Sequence, residues 1–368
     1  MKVTFLSENL LGKISFLNHA VSSRGQLPII SNFLLEAKSG KLTISSTDLE
    51  IGISTSIPVN VEEEGKTTVP AKNFTDLLSN LGSQKITLSL EGETLKLKGE
   101  KVRASFQTMP AEDFPKLYEE KGEEFARLKK KEIEEYILRV IFAAAVDSSR
   151  PTLSGVLLDG EKENVSLVAT DGVRLSLQKN VFRTTKGLER PIIIPSRLVR
   201  ELISIKEDGE DVSIFISDKN NQVLFSLGET KLVGRLIEGG YPEYQKIIPS
   251  DFGTKMEADR EQLLNAIKIC SVFARETANI VKFSIEKDKI VVSANSPSVG
   301  EDSVDVEAKL EGEENEIAFN AKFLLDVLSS LKNEKIVFEM TGPLNPGVFK
   351  IKEDNTFLHL IMPIKVSE

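Results

Sequence analysis

The sequence predicts an α+β fold made of three repeated domains, each built from two strand–helix–three-strand halves. Three observations carry this. Turn motifs recur in step: Pro28-Ile29 with Pro151-Thr152, and Thr47-Asp48 with Thr170-Asp171, both 123 residues apart. Thr68-Val69-Pro70-Ala71 and Ile193-Ile194-Pro195-Ser196 each precede an apolar helical pattern, and Asp113-Phe114-Pro115 and Gly240-Tyr241-Pro242 each close a unit. A fainter third copy starts near Asp259, where Ile290 to Asn295 aligns with the strand ending at Thr170, and Phe319 to Leu328 with Pro195 and its helix. A period of about 125 residues is too long for a solenoid and suits whole domains of one fold. The expected boundaries are 1–118, 125–246 and 250–368, with a charged linker, Lys116 to Glu124, after the first domain.

In chain order, Lys2 to Leu6 reads as a strand and Ser7 as the N-cap of a helix whose apolar face is Leu10, Leu11, Ile14, Leu17 and Val21. A meander follows, then a second helix after Pro70 and three alternating strands at 86–90, 95–98 and 102–106. In the second domain the opening helix reads as the longest and most basic, with Lys129, Lys130, Lys131 and Arg139. Gly155 to Leu158 and Val165 to Ala169 read as strands around a polar turn, and Val168 and Leu175 are expected on one face. Thr170-Asp171-Gly172 is a turn, Asp bonding its own backbone and Gly free to take positive φ. Glu238 to Pro249 reads as an extended connector, since its two glycines and two prolines forbid a regular helix.

The net charge of −9 is unevenly placed: residues 112–124 carry −4 and residues 301–316 carry −7, leaving +2 elsewhere. A basic face therefore survives the acidic total. One cysteine, Cys270, excludes an internal disulfide framework and reads as a buried, inert thiol. The longest apolar run, Val140 to Val146, is too short to span a bilayer, and Ser7-Glu8 interrupts any signal-peptide core, so a cytoplasmic protein without membrane contact is expected.

The search for catalytic chemistry is mostly negative. Two histidines, His19 and His359, leave no histidine-rich metal site, and no phosphate-cradling glycine loop occurs, so no metal and no cofactor is expected. A carboxylate site around Asp48, Asp171 and Asp326 is the enzymatic rival, although turn capping explains the first two. A monomeric interaction scaffold is the other rival. Two features remain. Arg24, Arg150 and Arg275 recur in register after the first helix of each domain, as a repeated phosphate contact would. Leu153, Leu175, Pro242, Ile247, Met362, Pro363 and Ile364 form an apolar set from distant segments, as an interaction groove would.

With Leu27 to Asn32, Ala169 to Leu175, Gly240 to Pro249, Phe319 to Leu328 and Met362 to Val366 in view, the whole chain resembles the bacterial sliding clamps, the beta subunits of DNA polymerase III. The resemblance implies three clamp domains per chain and a head-to-tail homodimeric ring, helices inside and sheets outside, around double-stranded DNA. It implies a non-catalytic processivity factor that slides without sequence preference and tethers the catalytic subunit of DNA polymerase III. An ATP-driven clamp loader opens the ring, and other replication or repair proteins share the cleft. Carried over by position, that cleft comprises Leu153, Thr170, Gly172, Val173, Arg174, Leu175, Pro242, Ile247, Leu360, Met362 and Pro363, with Ile364 from the apolar set. Arg24 matches a DNA-contacting position, and Phe106 of one chain would meet Val272 and Phe273 of the other. Val173 stands where many members have His, Asp147 where a DNA-touching Gln is frequent, and Lys365 for a frequent Arg.

Overall fold

The structure, a computed structural model, describes every residue except 23–26, 118–122, 148, 162, 185–186, 189, 207–210, 218 and 366–368. One order of elements runs along the chain three times. The first run is β1 (Lys2–Leu6), α1 (Ser7–Leu17), β2 (Asn32–Lys38), β3 (Lys41–Thr47), β4 (Ile51–Pro58) with its short continuation β5 (Asn60–Glu63), β6 (Gly65–Pro70), α2 (Ala71–Asn80), β7 (Lys85–Glu91), β8 (Thr94–Lys98) and β9 (Arg103–Gln107). The second is β10 (Glu124–Lys129), α3 (Lys130–Leu138), β11 (Gly155–Glu161), β12 (Asn164–Thr170), β13 (Arg174–Arg183), β14 (Ile192–Pro195), α4 (Ser196–Ser204), β15 (Asp211–Ser217), β16 (Gln222–Leu227) and β17 (Thr230–Arg235). The third is β18 (Thr254–Asp259), α5 (Arg260–Ala274), β19 (Ile280–Ile285), β20 (Lys289–Ser296), β21 (Gly300–Gly312), β22 (Asn315–Asn320), α6 (Ala321–Ser330), β23 (Lys335–Met340), β24 (Gly347–Ile351) and β25 (Asp354–Ile361).

Each run is strand–helix–three strands, twice. The halves are interlocked, because the first strand of one pairs with the meander of the other: β1 with β7, and β6 with β2. In the third run β18 pairs with β23, and β22 with β19. Neither half can satisfy its own edge, so the halves form together.

The chain divides into two compact units, 1–131 with 197–236, and 132–196 with 237–368. In the first, an antiparallel sheet runs β5-β1-β7-β8-β9 and another runs β10-β15-β16-β17-β4-β3-β2-β6. The second unit holds one sheet of twelve strands, β14-β11-β12-β13-β25-β24-β23-β18-β21-β20-β19-β22. Period-two burial explains these strands: in β19 Val281, Phe283 and Ile285 are buried, and in β23 Ile336, Phe338 and Met340. α5 and α6 lay Leu263, Ile267, Cys270, Leu324, Val327 and Leu328 on that face, forming one core. Asp259 caps α5 by accepting from Gln262 N (2.9 Å), and Asn320 caps α6 by accepting from Lys322 N (3.0 Å).

Three local expectations need correction. Ser7 is the first residue of α1 and not its cap; its hydroxyl donates to Gly82 O (2.6 Å) and accepts from Gln84 N (3.0 Å), tying the helix to the loop after α2. α1 stops at Leu17, so Val21 lies beyond it. The longest helix is α5, with 15 residues, while α3 has nine: Lys129 ends the preceding strand, and Arg139 is buried past the helix, donating to Gln178 and Glu135.

At the heart of the second unit Phe319, Phe338 and Phe349 meet edge-on or tilted, with Phe338 and Phe349 centroids 4.9 Å apart. Gly347 is required beside them, since a Cβ there would lie 2.5 Å from Phe319 Cζ and 2.7 Å from Phe338 Cε2. Replacing Phe338 with Ala should destabilise the unit by about 3–5 kcal/mol. Ile269→Ala, at a half-exposed helix position, should change stability by no more than about 0.5 kcal/mol. Urea unfolding followed by far-ultraviolet circular dichroism compares the two.

Candidate functional site

The join of β13 and β25 builds the site. Their antiparallel register sets Leu175 opposite Leu360 and Leu177 opposite Leu358, and alternation sends these leucines to one face. With Leu157, Val168, Ile193 and Val348 they form an apolar floor. The connector after β17 crosses it, placing Tyr244 on the floor, where the Tyr244 hydroxyl donates to Asp159 Oδ2 (2.7 Å). Burial and that carboxylate push the Tyr244 hydroxyl's pKa well above its ordinary value.

At one end of the join is the Asp171 turn. Asp171 Oδ1 accepts from Val173 N (2.9 Å) and Arg174 N (3.0 Å), while Thr170 Oγ1 donates to Arg174 O (2.6 Å) and accepts from Gly172 N (3.0 Å). Gly172 takes φ +92°, the left-handed geometry that glycine supplies. Met362 N donates to Val173 O (2.9 Å), so the segment after β25 is held against this turn, and Ile364 N donates to Ala318 O (2.8 Å).

The set read from the sequence therefore splits in two. Val173 (45 %), Ile247 (50 %) and Met362 (40 %) are exposed, with Pro242 exposed and Pro363 and Ile364 half-buried, and these make the rim. Leu153, Thr170, Leu175 and Leu360 are buried and form the floor and wall, so no partner reaches Leu175 without moving what covers it. Arg174 is 7 % exposed and its guanidinium is committed within the chain: Nε to Asp171 (3.0 Å), Nη1 to Asp326 (2.6 Å), Nη2 to Phe142 O, and its face over the Phe323 ring at 4.4 Å. That network accounts for Asp171 and Asp326, and Asp48 pairs with Arg197 at 2.6 Å, so the three carboxylates form no common site. Tyr244, Leu177, Leu358 and Asp159 were missed by sequence reasoning. The Leu175/Leu177 and Leu358/Leu360 alternation was the available signal for two of them.

Of the candidate phosphate contacts, Arg24 lies outside the described residues. Arg150 has Nη1 2.9 Å from where a Cβ on Gly172 would lie, which puts it against the Asp171 turn. Arg275 is exposed directly after α5. Phe106 is half-buried in β9, edge-on to Phe74 (5.8 Å); Val272 is 54 % exposed near the end of α5, and Phe273 packs against the core. Cys270 is buried, its thiol pushed up to about 12 by burial and then by Asp302. Among the described residues no group of three or more His, Cys, Asp or Glu side chains could hold a metal, and no helix is long and apolar enough to cross a membrane.

Comparison with known proteins places this geometry among relatives. Residues 1–118, 127–243 and 245–365 match the family models of the N-terminal, central and C-terminal domains of the DNA polymerase III beta subunit. The chain is similar to the beta sliding clamps of Staphylococcus aureus (29 % identical over 99 % of both chains) and Synechocystis (29 % over 100 % of both). In structure it resembles the DNA polymerase sliding clamp from Bacillus subtilis (TM-score 0.94, 27 % identity, all of both chains). It also resembles the sliding clamp from Pseudomonas aeruginosa bound to griselimycin (TM-score 0.93, 26 % identity, all of both chains).

His359 sits inside the β13–β25 join, fully buried, with neither ring nitrogen hydrogen-bonded among the described residues. Burial, then the Arg174 charge, hold its pKa well below the usual histidine range. The folded protein keeps the ring neutral while the unfolded chain takes up a proton below its ordinary value of about 6.5. Stability should therefore be full above that pH and fall as pH drops, by up to about 1.4 kcal/mol per pH unit from this one group. Urea midpoints between neutral and acid pH should show the slope, and His359→Leu should remove its share.

Proposed function

Since the chain belongs to the family of DNA polymerase III beta subunits, the beta sliding clamps, we propose that two copies close head to tail into a ring around duplex DNA and act as a non-catalytic processivity factor for the replicative polymerase. Its three clamp domains are assigned to 1–118, 125–246 and 250–368. One observation carries the ring. Two joins between consecutive runs are made by antiparallel strand pairing, β17 with β4 in the first unit and β13 with β25 in the second. Of the six strands that stand in these joining positions (β4, β13 and β21, β9, β17 and β25), two have no partner strand on the outer side among the described residues: β9, at the end of its sheet, and the 300–307 part of β21, which pairs on one side only with β20. A second copy is the natural occupant, because the edges are oppositely charged. β9 carries Arg103, with Lys98 opposite it on β8 and Lys101 in the turn between them; residues 300–307 hold Glu301, Asp302, Asp305 and Glu307 with no base. Phe106 on β9, and Val272 and Phe273 at the end of α5, supply the apolar part of the contact.

In this reading Arg24 and Arg275 meet the DNA backbone through charge alone, which favours sliding because no base is read. Arg150 serves the cleft mouth first. The rim formed by Val173, Pro242, Ile247 and Met362 takes a short peptide with apolar anchors from the polymerase catalytic subunit, the clamp loader or repair proteins. The protein works where the chromosome is, in the bacterial cytoplasm.

Two outcomes are expected. Loaded by its ATP-driven loader, the protein should stay on closed circular plasmid through a gel-filtration run and leave once the plasmid is linearised; equal retention on both forms would refute the ring. Met362→Ala and Ile247→Ala should each weaken a fluorescent partner peptide by about 1–2 kcal/mol with the dimer unchanged in sedimentation; unaltered anisotropy titrations would remove the rim from the cleft.

A further inference from the structure

We propose that Asp159 is a positioning residue of the peptide groove: it sets where Ile247 stands on the rim by holding one turn of the connector at two points. This rests on reading the β13–β25 join as a peptide cleft. The connector has little structure of its own. Upstream lie Gly239, at φ +129°, and Gly240, where an added Cβ would meet nothing within 4 Å. Downstream Ile248 is extended and Pro249 has no N–H to donate. Between them is a single 3₁₀ turn, Tyr244–Ile247, and Glu243 before it makes no side-chain cap. So short a turn does not hold its own shape.

Two kinds of contact fasten it. Tyr244 is buried in the apolar cluster of the floor. That packing fixes depth, but hydrophobic contact has no direction and leaves the turn free to rock on the ring. Direction comes from Asp159 on β11. Its Oδ2 accepts from the Tyr244 hydroxyl (2.7 Å) and from Gln245 Nε2 (3.2 Å). Two successive side chains converge on one oxygen, and hydrogen bonds weaken steeply once bent, so the turn is held against rotation.

The hold reaches the rim through the turn itself. In a 3₁₀ helix residues three apart are eclipsed, so Ile247 lies along the axis from Tyr244 and its direction is fixed with it. Ile247 is exposed, with no burial of its own to order it. Released from Asp159, it would have to be ordered by the partner on binding, at a cost in affinity.

The test uses the full-length protein with labelled isoleucine δ1 methyls and a neutral probe with apolar anchors, fluorescein-Ser-Leu-Ala-Leu-Phe-amide. In the free protein Asp159→Ala should shift the Ile247 methyl and lower its order parameter. Asp159→Asn, whose amide oxygen can accept both bonds, should keep it near the wild-type position. Asp159→Ala should weaken the probe about tenfold and Asp159→Asn by less than about twofold. Gln245→Ala, at an exposed position where folding is not at stake, should weaken it about threefold. In an Ile247→Ala background Asp159→Ala should cost nothing further, whereas beside Met362→Ala its loss should persist in full, a pattern that general destabilisation would not produce. An Ile247 methyl indifferent to Asp159→Ala and Gln245→Ala, or losses at Asp159 that multiply with Ile247→Ala, would overturn the assignment. Absence of probe binding to the wild-type protein, with the Ile247 methyl still answering to Asp159, would refute the cleft and not the hold of Asp159 on Ile247.

Discussion

The constraint on which the structure rests is that a β-strand's outer N–H and C=O groups need partners. Within each run it is met by exchange, the lead strand of one half completing the sheet of the other. Between runs it is met by edge pairing, β17 on β4 and β13 on β25. Extending the same rule past the ends of one chain gives the proposed ring, whose closure is a third instance of the pairing already made twice. A ring of this kind has no need to hold DNA tightly, since escape requires parting two strands.

Edge pairing also explains where the proposed peptide groove lies. Joining two sheets side by side leaves a continuous apolar face, and the connector that must cross from one run to the next lies on part of it. Beside Tyr244, the exposed Ile247, Val173 and Met362 are the rim of the proposed groove. The buried Arg174 cluster stabilises the wall of that groove: two carboxylates, a carbonyl and two aromatic rings surround one guanidinium, so every donor nitrogen of that guanidinium has its acceptor within the chain.

Much of this was legible in the sequence. The repeats, the strand alternation and the Asp-capped turns at Asp48 and Asp171 are local signals, and local geometry satisfies them as expected. The depth of each cleft residue was not legible, because whether Leu175 faces a partner or carries Tyr244 depends on β25, which lies more than 170 residues further along the chain. Nor was the fate of Ser7, whose hydroxyl finds Gly82 and Gln84 across the packed helix pair before it can cap its own helix. The basic run at 129–131 reads as helix by composition, yet Lys129 is claimed by strand pairing with Asp211. In each case a tertiary partner outweighed a local preference of about 1 kcal/mol or less.

The connector has an optical consequence. The chain contains no tryptophan and only four tyrosines, and two of these, Tyr241 and Tyr244, belong to the cluster beneath the groove. Near-ultraviolet light absorbed by this protein is thus reported in large part from one small region. An occupant that disturbs the Tyr244 hydroxyl's hold on Asp159 would change the native spectrum directly, so arrival and departure of ligands could be followed without attaching any dye.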